Sequence, residues 1–472
     1  MTHRFSLDND GTNFFAHIMT DDVEDSIAAA VALCPAQVTT YFLCPNASGK
    51  FYYPTRIGEV DPATQRLAAL HKQGKDPFGL FLAALRQAGK ETFITYRMND
   101  VHGADDPNHL GTAEFKKQHP DFIVDPAAAA DGLDGWMPYC LDYSRPEVRN
   151  YILSTIRELV DLYEIDGFQL DWMRFPRHLS GNPDEVWKKR DDLTEFTASV
   201  GEILRQKDPQ IQLSARVPTS PAGCRHVGID LEAWCREELV DFVVAAPFLT
   251  TDFHMPIQEL RQHMGDRPVP VYADIEFGHS SQIHCPESLR AAALGLFAAG
   301  ADGLYIFNFP CWTEYIGAPP YHWLENLDTP ERASGSPLLF SVSHQLDRIP
   351  AVDLPGQLPA ILPIGGGLEI HLHIPETALP ARRLLILVDS GSDFTLKINN
   401  GEALELPALR RAELFAEYIP QEDQGDSQRS FNTECRLFQA APSYLRGGLN
   451  TLSMYNTATH DLNITRINLG IW

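Results

Sequence analysis

The segment DGFQLDW carries an aspartate, Asp171, where a short apolar run ends. Alternate residues of a strand point to opposite sides, so Gln169 and Asp171 lie on one face and Phe168 and Leu170 on the other. In a closed barrel of parallel strands, Asp171 then faces the barrel axis near the open end, where catalytic carboxylates lie. Asp166 has the opposite parity, and we expect it to be structural.

A second acidic segment, VPVYADIE, could supply the partner of Asp171. Asp274 and Glu276 lie on its inner face by the same alternation, and Glu276 is nearer the open end. One carboxylate that attacks a sugar carbon and one acid that protonates the leaving oxygen are sufficient for most glycoside hydrolysis. Asp252, in the loop FLTTDFH, is the alternative acid, and parity does not choose between it and Glu276. The alternative for Asp171 is a structural acid that holds an arginine.

Further polar and aromatic residues are expected around the same opening. Arginine and asparagine make directional hydrogen bonds to hydroxyl and carboxylate groups, and aromatic rings suit the faces of sugars. Several basic side chains, with Arg177 and His178, also hint at an anionic sugar. The predicted binding residues are Arg97, Asn99, Asp100, His102, Trp172, Arg174, Arg216, Asp274, Tyr305, Asn308 and Trp312.

The elements that must position these residues are eight strand–helix units. Short apolar runs alternate with amphipathic stretches, which indicates a parallel sheet. The predicted strands are 13–19, 38–44, 92–98, 166–172, 211–217, 241–248, 269–276 and 302–309. Eight units in roughly 320 residues, without a GxGxxG segment, favour a closed (β/α)₈ barrel over an open doubly wound sheet.

The texture of the chain changes after NLDTPERASGSP. Short alternating strands punctuated by Gly, Pro and Asn then replace helical periodicity, which is typical of a β-sandwich. We therefore predict a catalytic barrel domain over residues 1–330 and an accessory sandwich over 336–472. The sandwich could bind carbohydrate, assist a dimer contact or cap the barrel, and we expect a structural role.

The composition excludes several other classes of protein. The formal net charge of -25 and the pI near 5.0 disfavour nucleic acid and anionic membranes as partners. No apolar run is long enough to span a bilayer, and the start MTHRFSLDND does not resemble a signal peptide. We expect a cytoplasmic protein, with a processed secreted form as the alternative. The eight cysteines form no CxxC pair, and we expect no metal or cofactor.

At YEIDGFQLDWMRFP the sequence resembles the glycoside-hydrolase-like barrels of the GHL10 type, as do YRMNDVH, KKQHPDF and CLDYSRPEVRNYI. The family pattern DG-x-x-x-D-x-x-R-[YF]-P falls here on Asp166, Gly167, Asp171, Arg174, Phe175 and Pro176. The resemblance covers most of residues 12–325 and implies a barrel glycosidase with Asp171 as nucleophile. The strand pattern of chitinase-type barrels does not fit, because its terminal acid would fall at Met173.

Three functions follow as hypotheses. The first is a retaining glycoside hydrolase that acts on a poly- or oligosaccharide through Asp171 and either Glu276 or Asp252. The second is a non-catalytic carbohydrate-binding protein on a barrel scaffold. The third, a metal-dependent hydrolase, needs several histidines at strand ends, and His17 is the candidate on a predicted strand. Homo-oligomerisation stays open.

Overall fold

A computed structural model of the chain provides the architecture. The structure describes residues 4–61, 65–104, 106, 109, 112–125, 133–277, 284–309, 319–345, 348–390, 392–407 and 436–472. No helix within these ranges is long and apolar enough to cross a membrane.

The first part of the chain is a closed barrel of eight parallel strands, as predicted. Its strands, with a short hairpin formed by β3 and β4, are β1 (Phe5–Asn9), β2 (Thr40–Leu43), β3 (Asn46–Ala47), β4 (Lys50–Phe51), β5 (Glu91–Arg97), β6 (Gly167–Asp171), β7 (Gln212–Val217), β8 (Phe242–Ala245), β9 (Val271–Ile275) and β10 (Gly303–Ile306). The barrel order is β1-β10-β9-β8-β7-β6-β5-β2, and the pairing of β1 with β2 closes it.

Helices follow the strands and cover the barrel from outside. They are α1 (Val23–Leu33), α2 (Gln65–Lys72), α3 (Pro77–Gln87), α4 (Glu114–Gln118), α5 (Leu133–Trp136), α6 (Pro146–Leu162), α7 (Pro183–Lys188), α8 (Arg190–Lys207), α9 (Pro221–Val227), α10 (Leu231–Arg236), α11 (Ile257–His263), α12 (Pro286–Ala298) and α13 (Pro330–Ala333). Proline begins many of them, because its missing N–H is not needed in the first turn.

The prediction of the first strand was wrong. The segment 13–19 is not a strand: Asn13–Ile18 forms a helical turn that buries Phe14 and Phe15. The first barrel strand is Phe5–Asn9, whose register with β2 and β10 fixes its place. His17 therefore does not lie on a strand, and its role as a strand-borne metal ligand is lost. Each of the other seven predicted strands overlaps an observed barrel strand.

Strand parity places the two sides of the barrel as predicted. Phe168 packs outward on Tyr96, with ring centroids 6.3 Å apart. Gln169 points inward, where its Oε1 accepts hydrogen bonds from the hydroxyls of Thr95 and Tyr305. Aromatic side chains fill the interior, so the barrel is a packed core.

The C-terminal part is an antiparallel sandwich, as predicted. Its strands are β11 (Leu338–Ser343), β12 (Ala360–Leu362), β13 (Gly367–Ile374), β14 (Leu384–Val388), β15 (Phe394–Ile398), β16 (Gly401–Leu406), β17 (Arg436–Ala440), β18 (Gly448–Asn456), β19 (Leu462–Ile464) and β20 (Arg466–Ile471). The main sheet has the order β11-β20-β14-β17-β16-β15-β18-β13 and folds at β16. Phe394 and Phe438 meet between its two halves, with ring centroids 5.2 Å apart.

Candidate active site

The open end of the barrel is organised around the guanidinium of Arg216, near the end of β7. Arg216 is 1% exposed. Its Nη1 donates to Asp171 Oδ1 at 2.8 Å, on the neighbouring β6. Its Nε and Nη2 donate to Asp274 Oδ2 at 3.2 and 2.8 Å, and Nη2 also donates to Glu276 Oε1. One buried cation thus gathers three of the predicted acids.

Asp171 is held through one oxygen only. Its Oδ1 accepts from Arg216 and from the backbone N–H groups of Met173 and Arg174, at 3.0 and 3.1 Å, in the turn after β6. No donor within the described ranges reaches Oδ2. The carboxylate therefore has a fixed position and one oxygen without a protein partner, as a nucleophile requires.

Burial disfavours the charged forms of Glu276 and Asp274. Burial raises the pKa of Glu276 well above its usual range; Arg216 opposes this, and the neighbouring Asp274 adds to it. Burial likewise raises the pKa of Asp274 to about 7 against the charge of Arg216. A protonated carboxyl beside an anchored carboxylate supplies an acid and a nucleophile at one place.

Asp8, on β1, is a fourth acid of this end of the barrel. Tyr305 Oη lies 2.7 Å from Asp8 Oδ2 and 2.9 Å from Gln169 Oε1, within the barrel interior. Burial raises the pKa of Asp8 to about 7, with Arg216 opposing, and Asp8 Oδ1 has no hydrogen-bond partner among the described residues. Sequence analysis missed Asp8 because its strand was misplaced. Tyr305, predicted to contact substrate, instead holds this interior network.

A second arginine, Arg97, belongs to a hydrogen-bonded group that links the carboxyl ends of β1, β5 and β10. Arg97 Nη1 donates to Asp100 Oδ2 at 2.7 Å, and its Nη2 donates to Asp10 Oδ2 at 3.0 Å. Asn308 Nδ2 donates to the same Asp10 oxygen at 3.0 Å. Arg97 thus pairs with Asp10 and Asp100, not with Asp171. Asp10, which follows β1, is the other residue that the wrong first strand concealed.

His102 and Arg174 extend this cluster outward. His102 Nδ1 donates to Asp100 Oδ1 at 2.5 Å, and its Nε2 accepts from Arg174 Nη2 at 2.7 Å, which fixes the neutral tautomer. Burial lowers the pKa of His102; Asp100 opposes this and Arg174 adds to it. Arg174 Nε and Nη1 have no acceptor among the described residues. Arg216 is occupied by its acids and His178 is buried, whereas Arg174 keeps two buried donor atoms without an acceptor in the described part of the chain.

Three strand exits at this end have positive φ angles that side-chain-bearing residues rarely adopt. They are Phe175 at 58°, Leu249 at 47° and Asn308 at 52°. Leu249 uses this conformation to donate its backbone N–H to Glu276 Oε2 at 2.7 Å. Such conformations cost about 1–3 kcal/mol each, and they cluster at functional sites because the surroundings impose them.

Two predicted binding residues hold the fold instead. Trp172 is fully buried and packs on Trp234, with ring centroids 6.4 Å apart, because its parity is opposite to that of Asp171. Asn99 is also buried, where its Nδ2 donates to Leu141 O and its Oδ1 accepts from Leu141 N, which fixes the loop after β5. The expectation that Trp172 lines a cleft is therefore wrong.

Asp252, the alternative acid, is engaged elsewhere. Its Oδ1 accepts from Arg348 Nη2 at 2.9 Å, in the connection between β11 and β12. Asp274 is fully buried beneath Glu276, which removes it from the predicted substrate contacts. Trp312 lies outside the described residues. No group of three or more His, Cys, Asp or Glu within the described ranges is arranged to hold a metal ion.

Comparison with known proteins identifies no family. No protein-family model and no curated protein matches the chain. Solved structures with a similar arrangement include α-L-fucosidase isoenzyme 2 from Paenibacillus thiaminolyticus (13% identity, TM-score 0.44, 72% of this chain and 52% of that chain). The glycoside hydrolase domain of PgaB from Bordetella bronchiseptica has 13% identity and a TM-score of 0.44, over 70% of this chain and 99% of that chain.

A third similar structure is the GH36 α-galactosidase AgaA from Geobacillus stearothermophilus, with 12% identity and a TM-score of 0.40 over 93% of this chain and 55% of that chain. The chain thus spans about half the length of the fucosidase and galactosidase chains.

Proposed function

We propose that the chain is a glycoside hydrolase of the GHL10-like barrel type, with Asp171 as nucleophile and Glu276 as acid and base. The observation that carries this proposal is that both groups bond to one buried guanidinium, that of Arg216. Asp171 offers an oxygen without a protein partner, and the raised pKa of Glu276 suits proton donation to a leaving oxygen.

We further propose that the mechanism is retaining. Retaining enzymes hold their two carboxyl groups about 5–5.5 Å apart, whereas inverting enzymes leave room for a water at roughly 6.5–9.5 Å. In this assignment Asp171 attacks the sugar carbon and Glu276 serves as acid and base; both accept from terminal nitrogens of one guanidinium. NMR of the first product anomer tests this assignment, and inversion at the anomeric carbon would contradict it.

Arg174 supports an anionic substituent on the sugar. Its Nε and Nη1 are buried without an acceptor among the described residues, and the Phe175 and Phe248 rings flank the guanidinium at 5.0 and 6.0 Å. An arginine with free donors binds carboxylate or sulfate groups through paired hydrogen bonds. Faster hydrolysis of an aryl uronide than of the matched neutral aryl glycoside is the expected result.

Asp171→Asn tests the nucleophile. Asparagine keeps an acceptor oxygen for Met173 and Arg174 but cannot form a glycosyl ester, so hydrolysis of an active 4-nitrophenyl glycoside should fall roughly a thousandfold or more. Asp266→Asn, at an exposed position before β9 on the opposite end of the barrel, is the matched control and should be fully active.

Glu276→Gln separates the acid from the nucleophile. Hydrolysis of an alkyl glycoside, whose leaving group needs a proton, should fall far more than hydrolysis of a 4-nitrophenyl glycoside. The opposing hypothesis is a binding protein in which Asp171 only neutralises Arg216, a role that their ion pair also fits. Hydrolysis that survives Asp171→Asn, or glycan binding without any hydrolysis by the unaltered chain, would favour that hypothesis.

A further inference from the structure

The loop after β8, residues 248–254, lies between Glu276 and the C-terminal sandwich; we call it the β8 loop. On the barrel side it donates hydrogen bonds to both the side chain and the backbone of Glu276. Leu249 N donates to the side-chain Oε2 at 2.7 Å, and Thr251 Oγ1 donates to the backbone oxygen of Glu276 at 2.5 Å. The β8 loop therefore orients the proposed acid, and its Leu249 N–H lowers the pKa of Glu276 against the larger effect of burial.

On its other side the β8 loop is held by the connection between β11 and β12. Asp353 Oδ1 accepts from Phe248 N at 2.9 Å, in a buried environment. Arg348 Nη2 donates to Asp252 Oδ1 at 2.9 Å, and both side chains are mostly buried. The polar contacts to the sandwich thus come immediately before and after the residues that hold Glu276.

Ring contacts continue the attachment at the end of the β8 loop. Phe253 packs on Phe340 of β11, with ring centroids 5.9 Å apart. His254 stacks on His373 of β13, with centroids 3.9 Å apart and planes within 5°. Strands β11 and β13, and the connection between β11 and β12, therefore all contact this one seven-residue loop.

We propose that the sandwich positions Glu276 through the β8 loop, with Arg348 and Asp353 as positioning residues. Neither residue touches the reacting atoms. The inference rests on the order of the contacts along the β8 loop: the residues that bond to Glu276 lie between those that bond to Asp353 and Arg348. The β8 loop therefore cannot move away from Glu276 without also breaking its bonds to the sandwich. The effect on catalysis rests on the proposed function, whereas the attachment of the loop does not.

The first test is amide hydrogen exchange of the full chain, which requires no activity. Arg348→Met should make the peptide that contains Leu249 exchange about tenfold faster. Arg466→Met is the matched control, since it breaks an ion pair with Asp389 inside the sandwich and leaves the β8 loop untouched. If Arg348→Met does not fold, Asp252→Asn removes the charge of the same ion pair. Equal exchange in the test and control variants overturns the proposal.

The second test is the pH profile of kcat/KM for an alkyl glycoside, whose leaving group needs the proton of Glu276. Loss of the Leu249 hydrogen bond raises the pKa of Glu276, so Arg348→Met should move the alkaline limb to higher pH, and Arg348→Lys should restore it. An unmoved limb in an active Arg348→Met enzyme overturns the positioning of Glu276. If the unaltered chain hydrolyses no glycoside, the proposed function fails, and hydrogen exchange still tests the attachment.

Discussion

Asp8 shows what a single residue contributes at this site. It is buried on β1, where one carboxylate oxygen accepts from Tyr305 and the other has no partner in the described part of the chain. Since burial raises its pKa to about 7, the folded protein binds the Asp8 proton more tightly than the unfolded chain, whose aspartates titrate near about 3.9. Its contribution to stability is present below the unfolded pKa and is lost as the pH rises through 7.

Asp8→Asn removes this titration. Between pH 5 and pH 8, the free energy of unfolding of the unaltered chain should fall by about 2–3 kcal/mol more than that of the variant, as measured by urea denaturation. Asp266→Asn, an exposed change, should follow the unaltered chain across the same range. Parallel curves for Asp8→Asn and the unaltered chain would show that Asp8 does not keep a proton in the fold.

Whether the sequence could predict a site residue depended on how clearly the strand that carries it could be recognised. Strand parity placed Asp171 and Glu276 on the inner face because β6 and β9 are apolar runs with few alternatives. The sequence did not predict β1 as a strand because its inward residues, Ser6 and Asp8, are polar. The apolar segment that follows matched a strand pattern better. The contact between Asp252 and Arg348 joins distant segments and has no local pattern.

Helix α12 packs closely against the β8 loop at Gly295. A Cβ on Gly295 would lie 1.9 Å from the backbone oxygen of Phe253. Alanine gains about 1 kcal/mol over glycine in a helix, but overpacking against backbone costs about 1–3 kcal/mol. Gly295→Ala should therefore lower the thermal midpoint.

Gly201→Ala in α8 is the matched control, because its Cβ would meet only the flexible end of Arg205 at 3.0 Å. It should keep or raise the midpoint. Equal shifts in Gly295→Ala and Gly201→Ala would contradict the close approach of the β8 loop to α12.

At the scale of the whole molecule, barrel and sandwich meet at groups that respond to acid. Burial lowers the pKa of His254, His373 adds to this and Asp252 opposes it; burial also lowers the pKa of His373. The stability that this stacked pair contributes is present above the unfolded pKa of about 6.5 and is lost as the pH falls below it. Acid should therefore weaken the contact between the two parts.

His373→Gln tests this expectation through the thermal midpoint at pH 7.5 and pH 5. The variant should lose less stability on acidification than the unaltered chain, since one of the stacked histidines no longer titrates. His371→Gln is the control on the same face of β13, where the imidazole hydrogen-bonds to Thr451 instead of the β8 loop. The same loss in all three proteins would exclude the stacked pair as the acid-sensitive contact.

The place of β1 in the barrel has a consequence for how the chain is made. β1 pairs with β2, which follows it closely in the chain, yet its other neighbour is β10, and the bonded residues Asp8 and Tyr305 are 297 positions apart. Contacts of such separation form late and slowly. Until β10 is synthesised, β1 has no partner strand on that side and Asp8 lacks its tyrosine, so we expect the nascent barrel to be prone to aggregation at this edge.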